Sequence, residues 1–591
     1  MQGNKKQWIP RQMFYRFLAP SFFSALALSV ANVTDALVVG TRLGETGLAA
    51  IGIVTPVYMI YNTLGYTFSQ GGCVTHGKLT AAGKNETALC HFRRLAGLLL
   101  LLSAAVALGG NLLLAPLLAL VGVGEAMPGL RDLCLAYARP LLAACPVFML
   151  NFLLYDFVRS DNDQSLAALG FSLGCWVDVA LNILLVIVLH KGVAGAAMAT
   201  VVAQAVSVAV LSVHFFFRRG VLCFQDLFRA RADRKEIRRL SARSVWTGFS
   251  ASARYIAQFV FLSLANRLLL RAGERGLVNG ALYVAVFDLV MNVSYIALAL
   301  YQACAEVMQP LISAFTEEHD RDSRRQVLGL ALGWGLGTGL VLAGLLAVFA
   351  GPVSSLFGLA EAGARAVSVP AIRIYLLSTF LAGPLIVLTA YYQSSGQVAL
   401  SGVMTMLRFA VTLLPVTLVF GLFLPADFWW LFPVSEALTV MAAPLIRKSF
   451  GKREEERPVF SASMDNEDHE IGRVMEELEA FCERQEVPPK KAVQIQLAVE
   501  ELCLVIMQQA FTGAKHEYIQ ITLTQERNGD YILYLRNSAA RFNPFDMQTA
   551  RVRENTRKEI LDSVGVLMVK KQSKGLFYRN YQGFNMMMVM M

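Results

Sequence analysis

Residues 326–360 contain no Asp, Glu, Lys or Arg, and neither do residues 95–124 or 374–407. Each run exceeds the ~20 apolar residues needed to cross about 30 Å of hydrocarbon. The last is long enough for two passes, broken near Ser394–Gly396. A water-soluble core cannot hide so many long uncharged stretches, so the chain is a membrane protein with many spans. Composition agrees: 55% of residues are hydrophobic and 16% charged, against about 25% charged in average soluble chains.

Hydropathy places twelve spans at 14–39, 48–76, 95–120, 133–157, 165–189, 193–216, 245–270, 277–305, 327–350, 368–392, 397–421 and 428–446. The first is too long for a signal-peptide core and is retained as a span. Lys5, Lys6, Arg11 and Arg16 precede it, and Lys78, Lys84, Arg93 and Arg94 fill the second loop. Residues 218–243 hold nine Lys/Arg against three acids, and the eighth loop carries Arg321, Arg324 and Arg325. All of these loops lie on one side of a twelve-span chain, which predicts that both termini are cytoplasmic; the expected location is the cell membrane. The formal net charge of +10 therefore reflects loop placement and implies no nucleic-acid partner. The nine cysteines form no C-x-x-C pair, which argues against zinc and disulfide frameworks. An aromatic cluster at 427–430 is expected in the outer interfacial belt.

The long basic loop falls near the midpoint of the apolar region and divides it into two six-span halves, a common transporter plan. The expected organisation is an N-terminal transmembrane lobe (1–217), a basic inter-lobe loop (218–244), a C-terminal transmembrane lobe (245–450), a linker (451–464) and a soluble domain (465–591). In the last, apolar residues recur at helical spacing over 466–485 and 490–511. Two alternating stretches, YIQITLTQE and YILYLRNS, flank Asn528-Gly529 and predict a β-hairpin. The fold class is an all-α polytopic membrane protein of twelve helices in two lobes, plus a C-terminal soluble α+β domain.

Within the spans the notable acids are Asp35, Asp178, Asp288, Glu306 and Glu436. An ionised side chain near a bilayer centre costs on the order of 2.5–3.5 kcal/mol on insertion scales, so such residues mark functional positions. Asp178 and Asn182 lie one helical turn apart, as do Thr200 and Gln204 in the next span. Carboxylate, amide and hydroxyl oxygens suit a hard cation such as Na+, and a buried carboxylate equally suits a proton. Helix–helix hydrogen bonding is the other role open to Asn182 and Thr200. In the second half, Asp288, Asn292, Tyr295, Gln302 and Glu306 share one helix region and are candidates, with Tyr391, Tyr392 and Gln393, for a substrate cavity.

The phrases VTDALVVGTRLGETGLAAIGIVTPV (33–57), GVAGAAMATVVAQ (192–204) and QPLISAF (309–315) resemble segments of multidrug and toxic compound extrusion (MATE) transporters. The resemblance covers residues ~14–446. It implies a two-lobed antiporter that exports amphipathic, often cationic compounds against an inward flow of H+ or Na+, with no other cofactor. Family positions of the N-terminal-lobe cation site match Asp35, Asp178 and Thr200, while Gly174 stands where the family has an Asn and Asn182 is the substitute. Na+ would thus sit at Asp35, Asp178 and Thr200. The change at Gly174 tilts the expectation towards H+.

LAVEELCLVIMQQAFTG (497–513) resembles the first motif of anti-sigma-factor-type kinases of the GHKL ATPase superfamily; RNSAARFNPFD (536–546) and VGVLMVKK (564–571) resemble the later ones. Glu501 matches the acidic position. The magnesium-holding Asn is replaced by Val505, the adenine-side Asp by Asn537, and one motif glycine, Gly565, is left. The resemblance implies a kinase-like fold that has lost ATP turnover, a pseudokinase serving a regulatory role or docking a cytoplasmic protein. The expected function is therefore a secondary active exporter, not an enzyme, whose partners are small amphipathic substrates and membrane lipids. A lipid-linked precursor flippase, or a membrane sensor with the kinase-like domain as output, is the alternative.

Overall fold

The structure, a computed structural model, describes the chain apart from residues 1–7, 121–127, 162, 217–219, 358, 360, 452–457, 513–516, 527–528, 547–556 and 582. Certain side chains inside helices also lie outside the description, among them most of 28–60 and those of Arg254 and Asp288. The chain divides into two compact units: Phe17–Pro310 with Ala331–Lys452, and Met1–Arg16 with Leu311–Leu330 and Arg453–Met591.

Up to residue 450 the chain is helical. In order the helices are α1 (Trp8–Ala81), α2 (Asn85–Leu120), α3 (Pro128–Ala143), α4 (Cys145–Ser160), α5 (Gln164–Asn182), α6 (Gly192–Ser212), α7 (Phe224–Arg229) and α8 (Arg234–Glu274). They continue with α9 (Gly280–Glu317), α10 (Arg321–Val348), α11 (Ala350–Leu356), α12 (Ala362–Ser394), α13 (Val398–Met406), α14 (Leu413–Phe423) and α15 (Leu431–Phe450). Among the described residues eight helices are long and apolar enough to cross a membrane, or nine if α3 and α4, bent by 51° at their junction, form one span. Pro146 at the start of α4 has no N–H to continue the preceding helix, which accounts for that break. The predicted first, second and seventh spans fall on α1 and α8, parts of which lie outside the described residues. Leu101, Leu108 and Leu112 stand exposed on α2, as a helix facing lipid requires.

Starts and crossings follow from local chemistry. Asp163 caps α5 by accepting from the Leu166 N–H, and Asp233 caps α8 through the Lys235 N–H. Helices α1 and α8 cross with their backbones in contact. A Cβ on Gly248 would stand 1.8 Å from the Thr67 carbonyl oxygen, and one on Gly71 1.8 Å from that of Ser244. Hydroxyl pairs flank the crossing, Thr67–Ser252 at 2.6 Å and Thr75–Ser244 at 2.7 Å. Small residues with hydroxyl links are how apolar helices associate where hydrophobic burial gives no preference for protein over lipid. The aromatic cluster at 427–430 departs from expectation. Phe428 and Trp429 are buried against Phe287 and Tyr283 in the second lobe, and Trp430 alone of the three faces outward.

The other unit contains a five-stranded antiparallel sheet of β1 (Val459–Asp465), β2 (Tyr518–Gln525), β3 (Tyr531–Asn537), β4 (Gly575–Tyr581) and β5 (Phe584–Met590), in the order β1-β2-β3-β5-β4. Helices α16 (Asp468–Arg484), α17 (Pro489–Val505) and α18 (Arg557–Gln572) accompany it. The hairpin read from the alternating stretches is the β2–β3 pair; its Asn528 lies outside the described residues. Strand β1 begins inside the stretch assigned to the linker 451–464, so the sheet starts at Val459. VFSASMD alternates apolar with small polar residues, a short period-two signal overshadowed by the charged run before it. Ala462, Ile521, Leu535 and Met587 are cross-strand neighbours in one row, buried with Val474, Leu478, Ile495, Val499 and Leu502.

The opposite face of this sheet is polar, yet also buried. Gln520, Thr522, Thr524 and Arg536 are each 1% exposed. Within the same unit, the turn joining α9 to α10 meets this face. Arg536 pairs with Glu318 and lies 4.5 Å over the Phe315 ring, and the Gln520 amide donates to Asp320 at 3.2 Å and to Ser323 at 2.9 Å. Trp8 packs on Tyr518 with ring centroids 3.9 Å apart. Burial pushes the Glu318 carboxyl up to about 7, while the Arg536 guanidinium pulls the other way.

Leu533 sits at the centre of β3 with no exposed surface. Leu533→Ala is expected to lower the stability of the sheet domain by ~2–5 kcal/mol, read as lost hydrogen-exchange protection of β2 and β3 amides in the full-length protein, with amides of α5 and α6 unchanged.

Candidate functional site

Asp178 and Asn182 lie on the last turns of α5, both buried, and the Asn182 amide donates to Asp178 at 3.3 Å. Directly after them the helix widens over Ile183–Val188 to an i→i+5 pattern, a distortion frequent at functional positions. Thr200, on α6, is half-buried and returns its hydroxyl to the Ala196 carbonyl at 3.2 Å. One turn on, Gln204 accepts from the Asn151 amide of α4, whose oxygen accepts from Ser207 at 2.8 Å. The structure also explains Gly174. A Cβ there would be 3.0 Å from that of Ser207 and 3.3 Å from the Ala203 carbonyl oxygen, so α5 and α6 pack closely and a side chain there requires its neighbours to give by a few tenths of an ångström. The Asp35 side chain lies outside the described residues. Among those described, no group of three or more His, Cys, Asp or Glu is arranged to hold a metal ion.

A second polar cluster was legible in sequence only through Glu306. Arg159 of α4, fully buried, donates to Asp156 at 3.0 Å and to Gln309 of α9 at 3.0 Å, and pairs with Glu306 of α9 at 3.1 Å. Gln70 of α1 donates to Asp156 at 2.9 Å and accepts from Gln309 at 3.1 Å. These bonds close a ring through Gln70, Asp156, Arg159 and Gln309. Tyr155 adds its hydroxyl to Glu306 at 3.0 Å. One guanidinium is thus held by two carboxylates from opposite halves of the chain, beside the Gly71–Gly248 crossing. Sequence inspection missed Arg159 because it reads as the basic end of a span, a position where a snorkelling side chain is ordinary.

The other acids and cavity candidates separate. Glu436 of α15 is gripped by Arg408, which offers Nε at 2.9 and 3.0 Å and Nη2 at 2.7 Å. Tyr295 is half-exposed, 3.5 Å from the Gln258 amide. Asn292 and Gln302 are half-buried on α9, while Tyr391 meets Tyr392 edge-on at 5.7 Å and Gln393 is buried. The bonds of Glu306 run to α4 rather than to these residues, and the Asp288 side chain lies outside the description.

A further cluster went unread in the sequence. Asp161, fully buried, accepts from His76 and His214 at 3.1 Å each and from the backbone N–H groups of Val221 and Leu222 at 2.9 and 2.6 Å. It ties the backbone at Val221 and Leu222 to the end of α4 and, through His76, to α1. All nine cysteines are buried and unbridged.

In the soluble domain, Val505 is a core residue rather than a polar ligand. Asn537 is fully buried, its oxygen accepting from the Asn585 amide at 2.8 Å and the Ala539 N–H at 3.2 Å. Gly565 lies so close to Glu501 that a Cβ would fall 1.7 Å from Glu501 Oε2.

The family model described as MatE matches residues 20–184 and 275–419. A curated relative named "Probable multidrug resistance protein YoeA", from Bacillus subtilis (strain 168), is 24% identical over 392 residues, covering 65% of this chain and 81% of its own. Among solved structures, an outward-facing multidrug resistance MATE family transporter of the MOP superfamily superposes with TM-score 0.67 at 20% identity, over 75% of this chain and 97% of that one. A MOP superfamily transporter from Pyrococcus furiosus, described as having reversed binding-pocket polarity, gives 0.66 at 19% identity over 76% and 98%. The Vibrio cholerae MATE transporter VcmN, as a mutant, gives 0.65 at 20% identity over 74% and 96%. These likenesses show the fold, and with the family match spanning more than half of the chain it belongs to the MatE family of membrane transporters.

Proposed function

We propose that the protein is a secondary active antiporter of the cell membrane, with twelve transmembrane helices, both termini cytoplasmic, and amphipathic cationic compounds as its export substrates. The observation that carries this reading is the buried Asp178–Asn182 pair at the wide turn of α5, on the lobe where the family resemblance puts coupling at Asp35, Asp178 and Thr200. Charged, these carboxylates hold water or a cationic substrate in an open cleft. With H+ or Na+ bound they are neutralised and can be buried as the helices repack, so ion and drug exclude one another and exchange follows. Na+ would take its oxygens from Asp35, Asp178 and Thr200.

The ring at Gln70, Asp156, Arg159 and Gln309, with Glu306, serves in this scheme as the closed gate between the lobes on the side carrying the basic loops. Arg159 keeps Asp156 of its own helix as a partner, so opening the ring does not leave a bare arginine for a substrate diphosphate. Arg408 is likewise matched by Glu436. This favours drug export over lipid-diphosphate flipping. The soluble domain is read as a degenerate GHKL fold without catalysis. Its Asn position is filled by core Val505, and its adenine-side position, Asn537, is tied to Asn585. Its role is regulatory.

Ethidium efflux from energised cells lacking their own pumps tests coupling. Asp178→Asn and Asp35→Asn, at membrane levels equal to the parent, are each expected to reduce efflux by roughly 5- to 150-fold; unchanged efflux in both would move coupling out of the N-terminal lobe. Arg159→Gln removes the cation from buried Asp156 and half-buried Glu306, a change worth ~3–5 kcal/mol against the closed gate. It is expected to speed maleimide labelling of Cys73, whose carbonyl accepts from Ser160 beside the ring. Labelling at the parental rate would remove Arg159 from the gate.

A further inference from the structure

The sheet domain has two buried faces, and only one is buried by its own helices. On the other, the cross-strand row Ser463, Gln520, Arg536 and Met586 consists mostly of residues a solvent-facing antiparallel sheet would show to water. That face is covered instead by the α9–α10 turn and the first turns of α1, members of the same compact unit. The contact is specific in its chemistry. A buried guanidinium meets a buried carboxylate, Arg536 on Glu318. One amide, Gln520, reads both Asp320 and Ser323. Asp320 and Ser323 are also the capping pair of α10, with Ser323 N–H on Asp320 at 3.0 Å and its hydroxyl at 2.6 Å, so the domain grips the residues that define where α10 begins.

Helix α9 is continuous from Gly280 to Glu317. It carries Glu306 and Gln309 of the gate ring and, about 9 Å further along its axis, Phe315 beneath Arg536. We infer that the C-terminal domain is a clamp on the α9–α10 turn that holds α9 in its gate-closed position, with the Arg536–Glu318 pair as its fastening. The inference rests on the regulatory reading of the domain given above and names the segment through which that regulation acts. Releasing the clamp raises the population in which Arg159 has let go of α9. Coupling between distant sites through a shared helix with two positions is the physical form such control takes.

The test uses the full-length protein in membranes and site-resolved maleimide labelling read by mass spectrometry, which needs no knowledge of the substrate. Three variants are compared with the parent: Arg536→Gln, Glu318→Gln, and the exchanged pair Glu318→Arg with Arg536→Glu. Cys73 reports the gate, and Cys482 and Cys503, both buried in the domain core, report whether the domain stays folded. The expected result is Cys73 labelling faster by at least about fivefold in each single variant, with Cys482 and Cys503 unchanged and the exchanged pair returning towards the parent. Cys73 labelling at the parental rate in folded single variants overturns the clamp. If Cys482 and Cys503 also label, Arg536→Lys, which keeps the charge but loses the planar guanidinium, decides by the same Cys73 criterion. Ethidium efflux run alongside separates the two readings: a parent that exports no dye refutes drug export, while Cys73 still decides the clamp.

Discussion

A charge in a low-dielectric interior must be matched where it stands, and this requirement organises the membrane part of the protein. Arg159 is fully buried, and two carboxylates and a glutamine oxygen surround it. The compensating groups come from both halves of the chain, so meeting the electrostatic demand of one residue also joins the lobes. Arg408 repeats the solution within the second half, with Glu436 as its bidentate partner. Where no charge is involved, association relies on close backbone approach instead. The Gly71–Gly248 crossing, with its flanking hydroxyl pairs, is the clearest instance.

The two demands meet at one end of α1. Gln70 belongs to the ring and Gly71 to the crossing, so neighbouring residues serve the polar and the steric contact between the halves. On α9 a similar economy holds. Glu306 and Gln309 face the ring, and Phe315 lies under the Arg536 guanidinium near the helix end. A shift of α9 would therefore be felt at both places, which is the physical basis of the clamp inferred above.

In the C-terminal domain the positions singled out in the sequence serve the fold itself. Val505 packs in a hydrophobic core, Asn537 is satisfied by Asn585, and Gly565 is pressed on Glu501. Each position makes a contact within the fold. The polar side of the sheet has likewise been given to the α9–α10 turn.

Hydropathy alone determined that the chain is a membrane protein with a soluble tail, because charge-free runs of such length have no other stable environment. The spacing of Asp178 and Asn182 placed them on one helical face, since a turn is a local geometry that sequence fixes. The wide turn after Asn182 and the close packing of α6 against Gly174 depend on which helix lies alongside, and no single-chain periodicity encodes that. Arg159 looked like an ordinary basic end of a span, and its partners Glu306 and Gln309 are about 150 residues away in the chain. Strand β1 hid behind a charged run because its pairing energy comes from β2, some 60 residues later. Local rules supplied elements and faces; only the tertiary structure decided which charges meet, because that choice is made by long-range contacts between helices that sequence spacing does not relate.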